Sequence, residues 1–170
     1  MTVLYLSLEI SPADKQKLHQ LVEEEIRKED LCFLKRKGGN VTAKAHLTLA
    51  FGFQPEEYQK LSQDPRLAEL KGDFLIIQDF EIFKLKKAPC DALVMRVKND
   101  KLEKLHRYFI EKYKIAAQYQ SQLKRAFKPH ITLAYISKDA FIDPPTLRQK
   151  LLALKLSKLN IETVKVKRYG

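Results

Sequence analysis

Leu4, Leu6, Leu8 and Ile10 alternate with other residues and share one face of the segment 3–10. That period of two predicts a half-buried strand. Ser11, Pro12 and Asp14 then mark a helix start. Serine caps, proline fits the first helical position, and an acidic residue suits the first turn. Leu18, Leu21, Val22 and Ile26 follow at helical spacing and predict a helix to about residue 29. Lys35 to Gly39 reads as a basic loop. The segment 45–53 (A-H-L-T-L-A-F-G-F) alternates again and puts Leu47, Leu49, Phe51 and Phe53 on one face. A short helix over 56–61 follows Pro55. Branched and aromatic residues predict strands over 75–85 and 92–97, and an amphipathic helix spans 100–113 through Leu102, Leu105, Phe109 and Ile110. A strand over 129–136 comes next. Pro144 and Pro145 open a helix carrying Leu147, Leu151, Leu152 and Leu154, and 159–166 is the last strand.

The order strand, helix, loop, strand, short helix thus occurs twice. Lys17-Leu18-His19 in one helix matches Lys104-Leu105-His106 in the other. His46-Leu47-Thr48-Leu49-Ala50-Phe51 matches His130-Ile131-Thr132-Leu133-Ala134-Tyr135, with four of six positions identical. This repeat predicts an α+β fold with two lobes related by a pseudo-twofold axis. Two antiparallel sheets would line a central cleft, with the helices outside. The chain reads as one domain over 1–170, its lobe-forming halves roughly 1–88 and 89–170, with exchange of strands between lobes allowed.

Composition narrows the class. Of 170 residues 45% are hydrophobic, enough for a core, and 5 Gly with 7 Pro argue against low complexity. No apolar run reaches membrane-span length, and Met1 to Tyr5 lacks the form of a signal peptide. A monomer in the cytoplasm, with no membrane partner, is the expectation. Cys32 and Cys90 cannot build a disulfide framework and read as buried or incidental in a reducing compartment. Two Cys and four His exclude a regular zinc finger, and no carboxylate or Cys cluster surrounds either repeat motif. No metal or other cofactor is expected. Lys and Arg number 32 against 21 Asp and Glu, a net charge of +11. That surplus favours a phosphate-bearing partner.

Residues i and i+2 of a strand share a face. His46 and Thr48 therefore point together, away from the apolar set, and His130 and Thr132 do the same. A twofold would bring both pairs to one cleft. Two imidazoles can serve there as general base and general acid, and two hydroxyls can donate to non-reacting phosphate oxygens. Lys44 and Lys128, each two residues before a motif histidine, are candidates for substrate binding, since period two places them on the same face. Lys35-Arg36-Lys37 and Lys124-Arg125 are candidate backbone-tracking loops. Lys165-Val166-Lys167-Arg168 reads as an exposed strand edge. Phe51 and Tyr135, five residues after each histidine, fall on the opposite face and read as core. His19 and His106 read as surface or packing residues.

Paired H-x-T motifs in two similar halves resemble the 2H phosphoesterase superfamily. His46-Leu-Thr48-Leu-Ala-Phe-Gly52 and Phe127-Lys-Pro129-His130-Ile-Thr132-Leu look like the LigT-type RNA 2′,3′-cyclic phosphodiesterases, and also like the cyclic phosphodiesterase domain of fungal and plant tRNA ligases. The resemblance covers nearly the whole chain. It implies metal-independent hydrolysis of RNA 2′,3′-cyclic phosphate ends to 2′-phosphates. His46 and His130 would be the acid/base pair, with the two roles open between them, and Thr48 and Thr132 would bind the phosphate. The implied partner is RNA or an oligonucleotide with a terminal 2′,3′-cyclic phosphate. Two alternatives stand beside it: cleavage of 2′-5′ oligoadenylates or cyclic oligonucleotides, and a non-catalytic nucleotide- or RNA-binding module.

Overall fold

In the computed structural model, which describes residues 2–34 and 37–170, the first strand is β1 (Val3–Ile10). Ser11 caps helix α1 (Pro12–Glu25), its hydroxyl oxygen accepting from the Asp14 amide at 3.2 Å. The helix ends before residue 29. Ile26 takes an extended backbone, keeps its side chain in the core, and turns the chain into a short 3-10 segment, Lys28–Asp30. The hairpin β2 (Phe33–Leu34) and β3 (Lys37–Gly38) follows, and Lys35 and Arg36 of the predicted basic loop lie outside the described residues. Then come β4 (His46–Phe53), α2 (Tyr58–Ser62), β5 (Phe74–Phe83), β6 (Cys90–Lys98), α3 (Leu102–Lys112), β7 (His130–Ser137), α4 (Pro144–Ala153) and β8 (Lys158–Tyr169). The 3-10 segments Pro65–Leu70 and Ala117–Lys124 carry no periodic signal that predicts them.

The six long strands close into one antiparallel sheet in the order β1-β4-β7-β6-β5-β8. It consists of two three-stranded halves, β4-β1-β8 and β7-β6-β5, so the two expected sheets are joined edge to edge. The seams are thin. β4 and β7 meet through Leu47 and Ile131 alone. β5 and β8 meet through Phe74, Leu75 and Ile76 opposite Asn160, Leu159 and Lys158. The halves exchange strands: β5 pairs with β6, and β8 returns to pair with β1. The mixed α+β class follows from this sheet and its outer helices. The leucines of β1 bury against Leu18, Leu21 and Val22 of α1, in a core shared with Leu102, Leu105 and Phe109 of α3.

Cys32 and Cys90 are bonded to each other, with Cα atoms 5.8 Å apart. This corrects the reading of both as incidental. The segment after α1 runs along the edge of β7 that β4 leaves open. The Cys32 amide donates to Tyr135 O at 2.9 Å, Tyr135 N to Gly39 O at 3.0 Å, and Val41 N to Leu133 O at 2.9 Å. On the other edge of β7, Cys90 pairs with Ser137. Both cysteines therefore arrive at the same end of β7, although 58 positions separate them.

Candidate active site

β4 and β7 both begin at their motif histidine and share one irregularity. Leu47 and Leu49 are buried, while His46 and Thr48 are partly exposed on the opposite face. The alternation then breaks. Ser7 pairs with Thr48 but Leu6 pairs with Ala50, so Leu49 has no partner on β1. On β7, Val94 pairs with Thr132 and Leu93 with Ala134, which leaves Leu133 unpaired in the same way. Each is a β-bulge, one extra residue that flips the faces of all that follow. Phe51 and Tyr135 are thereby turned onto the His/Thr face and line the cleft, which corrects their reading as core. A second irregularity at Gly52 fixes Phe51 further. Gly52 has φ +90°, and a Cβ there would lie 2.7 Å from the Tyr119 Cβ. Tyr119 in turn meets the Phe51 ring edge-on at 4.9 Å.

The cleft holds about 730 Å³, and His46, Thr48, His130 and Thr132 all line it. The two histidines are held alike. His46 Nδ1–H donates to Lys44 O at 2.8 Å, and His130 Nδ1–H donates to Lys128 O at 2.8 Å. A carbonyl only accepts, so both rings carry hydrogen on Nδ1 and leave Nε2 for chemistry. His46 lies 5.9 Å from the Tyr5 ring, and Phe83 packs against His130 at 4.8 Å.

The cross-strand neighbours break the symmetry. Opposite His46 stands Glu9, and opposite His130 stands Arg96. Burial pushes the His130 pKa below its usual value. The hydrogen bond to Lys128 O opposes this, while the charges of Arg96 and of His46 add to the lowering. Arg96 also donates to Pro129 O at 3.2 Å and pairs with Glu81 at 3.2 Å. Glu9 is buried, which alone would raise its pKa. Lys167 Nζ at 2.5 Å, Ser7 Oγ at 2.5 Å and Lys15 Nζ at 3.3 Å outweigh that and hold the carboxyl at about 2.

The two flanking lysines are placed differently from the expectation. Both strands start at the histidine, so the period of two does not extend upstream to Lys44 or Lys128. Lys44 ends a 3-10 turn, Thr42–Lys44, and its exposed side chain lines the cleft. Lys128 is exposed and its side chain is outside the cleft wall. Each instead fixes its histidine through its backbone carbonyl. Lys124 and Arg125 are exposed and also outside that wall, whereas Lys167, expected on an edge, points into the cleft.

Sequence reasoning missed Tyr5, Glu9, Lys15, Asn40, Lys167 and Tyr169 as cleft residues. A signal for two of them was present. Tyr5, Ser7 and Glu9 form the face of β1 opposite its leucines, and a central strand whose second face is polar faces a site. His19 and His106 are packing residues, as read. His19 Nδ1 lies 3.1 Å from both Thr42 Oγ1 and Asn40 Nδ2. His106 donates from Nδ1 to Leu49 O, the bulge carbonyl, at 2.7 Å and stacks on Phe127 at 4.1 Å. Among the described residues, no three His, Cys, Asp or Glu side chains converge as metal ligands.

A family model described as the 2′-5′ RNA ligase superfamily matches residues 24–170. No curated protein sequence matches the chain significantly. In fold, the chain is similar to E. coli LigT complexed with 3′-AMP, with TM-score 0.62 and 17% identity over 99% of this chain and 88% of that one. It is similar to a crystal structure of a phosphoesterase, with TM-score 0.61 and 17% identity over 100% and 90%. It is also similar to Kluyveromyces marxianus Usb1 with uridine monophosphate, with TM-score 0.55 and 14% identity over 98% and 92%. With two H-x-T motifs mirrored across one cleft and a family match over most of its length, this chain belongs to the 2′-5′ RNA ligase superfamily of 2H phosphoesterases and has a LigT-like fold.

Proposed function

We propose that this phosphoesterase opens 2′,3′-cyclic phosphate ends of RNA without a metal and leaves a 2′-phosphate. The observation that carries the reading is the matched pair of Nδ1–H bonds to Lys44 O and Lys128 O, both 2.8 Å. They fix two imidazoles in one tautomer with Nε2 free on each, in a cleft that also presents Thr48 and Thr132. In-line opening of a cyclic phosphate needs a base beside the attacking water and an acid beside the leaving oxygen. A twofold-related pair supplies both.

The proton roles follow from the asymmetry. His130, with its pKa lowered by burial and by Arg96, is neutral at pH 7 and takes the proton from water. His46 must carry a second proton, on Nε2, when the step begins, and gives it to the departing ribose oxygen, keeping the Nδ1–H bonded to Lys44 O. Thr48 and Thr132 donate to the two non-bridging oxygens, where negative charge builds. The description of the family supports departure of the 3′-oxygen. If an RNA 5′-hydroxyl replaces water, the same in-line attack with 3′-oxygen departure makes a 2′-5′ linkage. Run backwards, that step cleaves one, so 2′-5′-linked oligonucleotides are the second reading.

One set of incubations tests both. Adenosine 2′,3′-cyclic phosphate, a cyclic-phosphate-ended RNA and a 2′-5′ trimer are each treated with protein in EDTA. The expected product from the first two is a 2′-phosphate that resists an enzyme specific for 3′-phosphates. Release of inorganic phosphate from the product by that enzyme rejects the orientation. Turnover of the trimer alone favours the second reading.

A further inference from the structure

We infer that Lys15 and Lys167, ordered by Glu9, form a second phosphate subsite, one that takes the internucleotide phosphate 5′ to the terminal ribose. This rests on the reading of the cleft as a phosphodiesterase site and adds what selects an oligonucleotide over a mononucleotide. An unpaired carboxylate in a cleft that admits phosphate would repel it, since both are anions. Glu9 is instead a fixed anion, held at a pKa of about 2 inside a cage of donors. Lys167 reaches it at 2.5 Å from β8, and Lys15 reaches it at 3.3 Å from the first turns of α1. Both lysines line the cleft. Two ammonium groups against one carboxylate leave a net positive charge. Each ammonium has three donors, so hydrogens remain for an incoming oxyanion after the Glu9 contacts are made. Glu9 thereby converts two flexible stems into a preorganised pair, which lowers the ordering cost of binding.

The placement selects a neighbour of the reacting phosphate. Glu9 is the cross-strand partner of His46, one strand spacing away, about 4.8 Å. The cation pair therefore flanks the reacting centre on the β1 and β8 side, beyond the four motif side chains. At the equivalent place on the other half stands Arg96, whose charge is engaged by Glu81 and which is outside the cleft wall. Among the described residues, two of the three lysines of the cleft wall, Lys15 and Lys167, thus stand together on the β1 and β8 side and the third, Lys44, precedes β4, an uneven charge that gives the bound strand a direction. Tyr5, Phe51 and Tyr169 lie along the same side.

Equilibrium binding separates this subsite from the catalytic one. The probes are an adenylyl dinucleotide ending in a 2′-phosphate and the same dinucleotide with an uncharged methylphosphonate linkage. Neither needs to be turned over, and they differ only in the internal charge. Wild type should prefer the charged linkage by about 20-fold, and Lys15→Met or Lys167→Met should each cut that preference about fivefold. Lys104→Met is the charge-matched control: Lys104 is exposed on α3 and outside the cleft. It should leave the preference within about twofold. Equal affinities for the two probes in wild type overturn the subsite, as does an unaltered preference in both K15M and K167M. Equal loss in K104M overturns it too, because bulk charge then explains the preference. If neither dinucleotide binds, the phosphodiesterase reading itself fails and takes the subsite with it.

Discussion

At the scale of residues, the roles assigned to the four motif side chains differ in size. His46→Ala or His130→Ala should lower turnover on the order of 10²–10⁴-fold, the usual loss for one acid/base group. Thr48→Ala or Thr132→Ala should cost roughly 10–10³-fold, as for one oxyanion donor. The double histidine variant should be little worse than either single one, because the pair acts as a unit. Wild-type turnover in both single histidine variants would falsify the site. The pH profile probes the asymmetry between them. The His130 pKa is depressed, so its neutral, proton-accepting form persists below pH 6.5. The acid limb of kcat/KM should therefore lie below 6.5, with activity lost as pH falls through it. Arg96→Met removes one source of the depression and should move that limb upward. A limb that stays in place would assign the base role elsewhere.

At the scale of elements, the two bulges decide which aromatics face the substrate. His106 of α3 holds the bulge carbonyl of Leu49, and Gly52 lets β4 bend beyond it. Gly52→Ala would force a positive φ on a residue with a Cβ and push that Cβ into Tyr119. We expect a loss of about 1–3 kcal/mol by denaturant melts. A second element contact is held by one carboxylate. Asp64, before the 3-10 segment Pro65–Leu70, accepts from Tyr113 at 2.6 Å, from Lys112 at 2.9 Å and from Tyr108 at 2.9 Å, all on or just after α3. Burial opposes its charge, yet these donors hold its pKa at about 2 against an ordinary 3.8. A depressed carboxyl contributes stability above its unfolded pKa and loses it below. Wild-type stability should therefore fall as pH drops from about 4 toward 2. Asp64→Asn should be less stable at pH 7 and lose less over that acid range; parallel pH–stability curves would refute the assignment.

At the scale of the molecule, the thin seams and the disulfide govern how the halves stay together. The Cys32–Cys90 bond ties the segment that covers the open edge of β7 to the start of β6, closing a loop of 58 positions. Chain-entropy reasoning gives about 4 kcal/mol for a loop of that length. A Cys32→Ala, Cys90→Ala double variant should lose a comparable unfolding free energy in denaturant melts, while thiol labelling of unreduced wild type should find neither cysteine free. Labelling of both without reductant would remove the bond from the account. The charge of +11 is also a property of the whole surface. Affinity for RNA should fall steeply with salt, affinity for a mononucleotide much less, and EDTA should leave turnover unaltered.

Local signals made much of this legible in the chain itself. The period-two runs around Leu4 to Ile10 and His46 to Phe53, the Ser11-Pro12 cap and the helical spacing of Leu102, Leu105 and Phe109 each depend on neighbours within a few residues. The duplication, read as His46-x-Thr48 and His130-x-Thr132, pointed to paired acid/base and phosphate-binding groups for the same reason: each motif is contiguous. Other features needed partners far along the chain. Strict alternation sent Phe51 and Tyr135 to the core, because a bulge is defined by what the opposite strand pairs with, and Ser7, Leu6, Val94 and Leu93 supply that from elsewhere. Lys167 is 158 positions from Glu9 and looked like an edge lysine until β8 returned beside β1. Cys32 met Cys90 only because β7 brought both to one end. Sequence alone determined the elements and the candidate acid/base and phosphate-binding groups, which are encoded in short spacings; tertiary structure decided the pairing of strands, and with it the wall, the charge and the direction of the cleft.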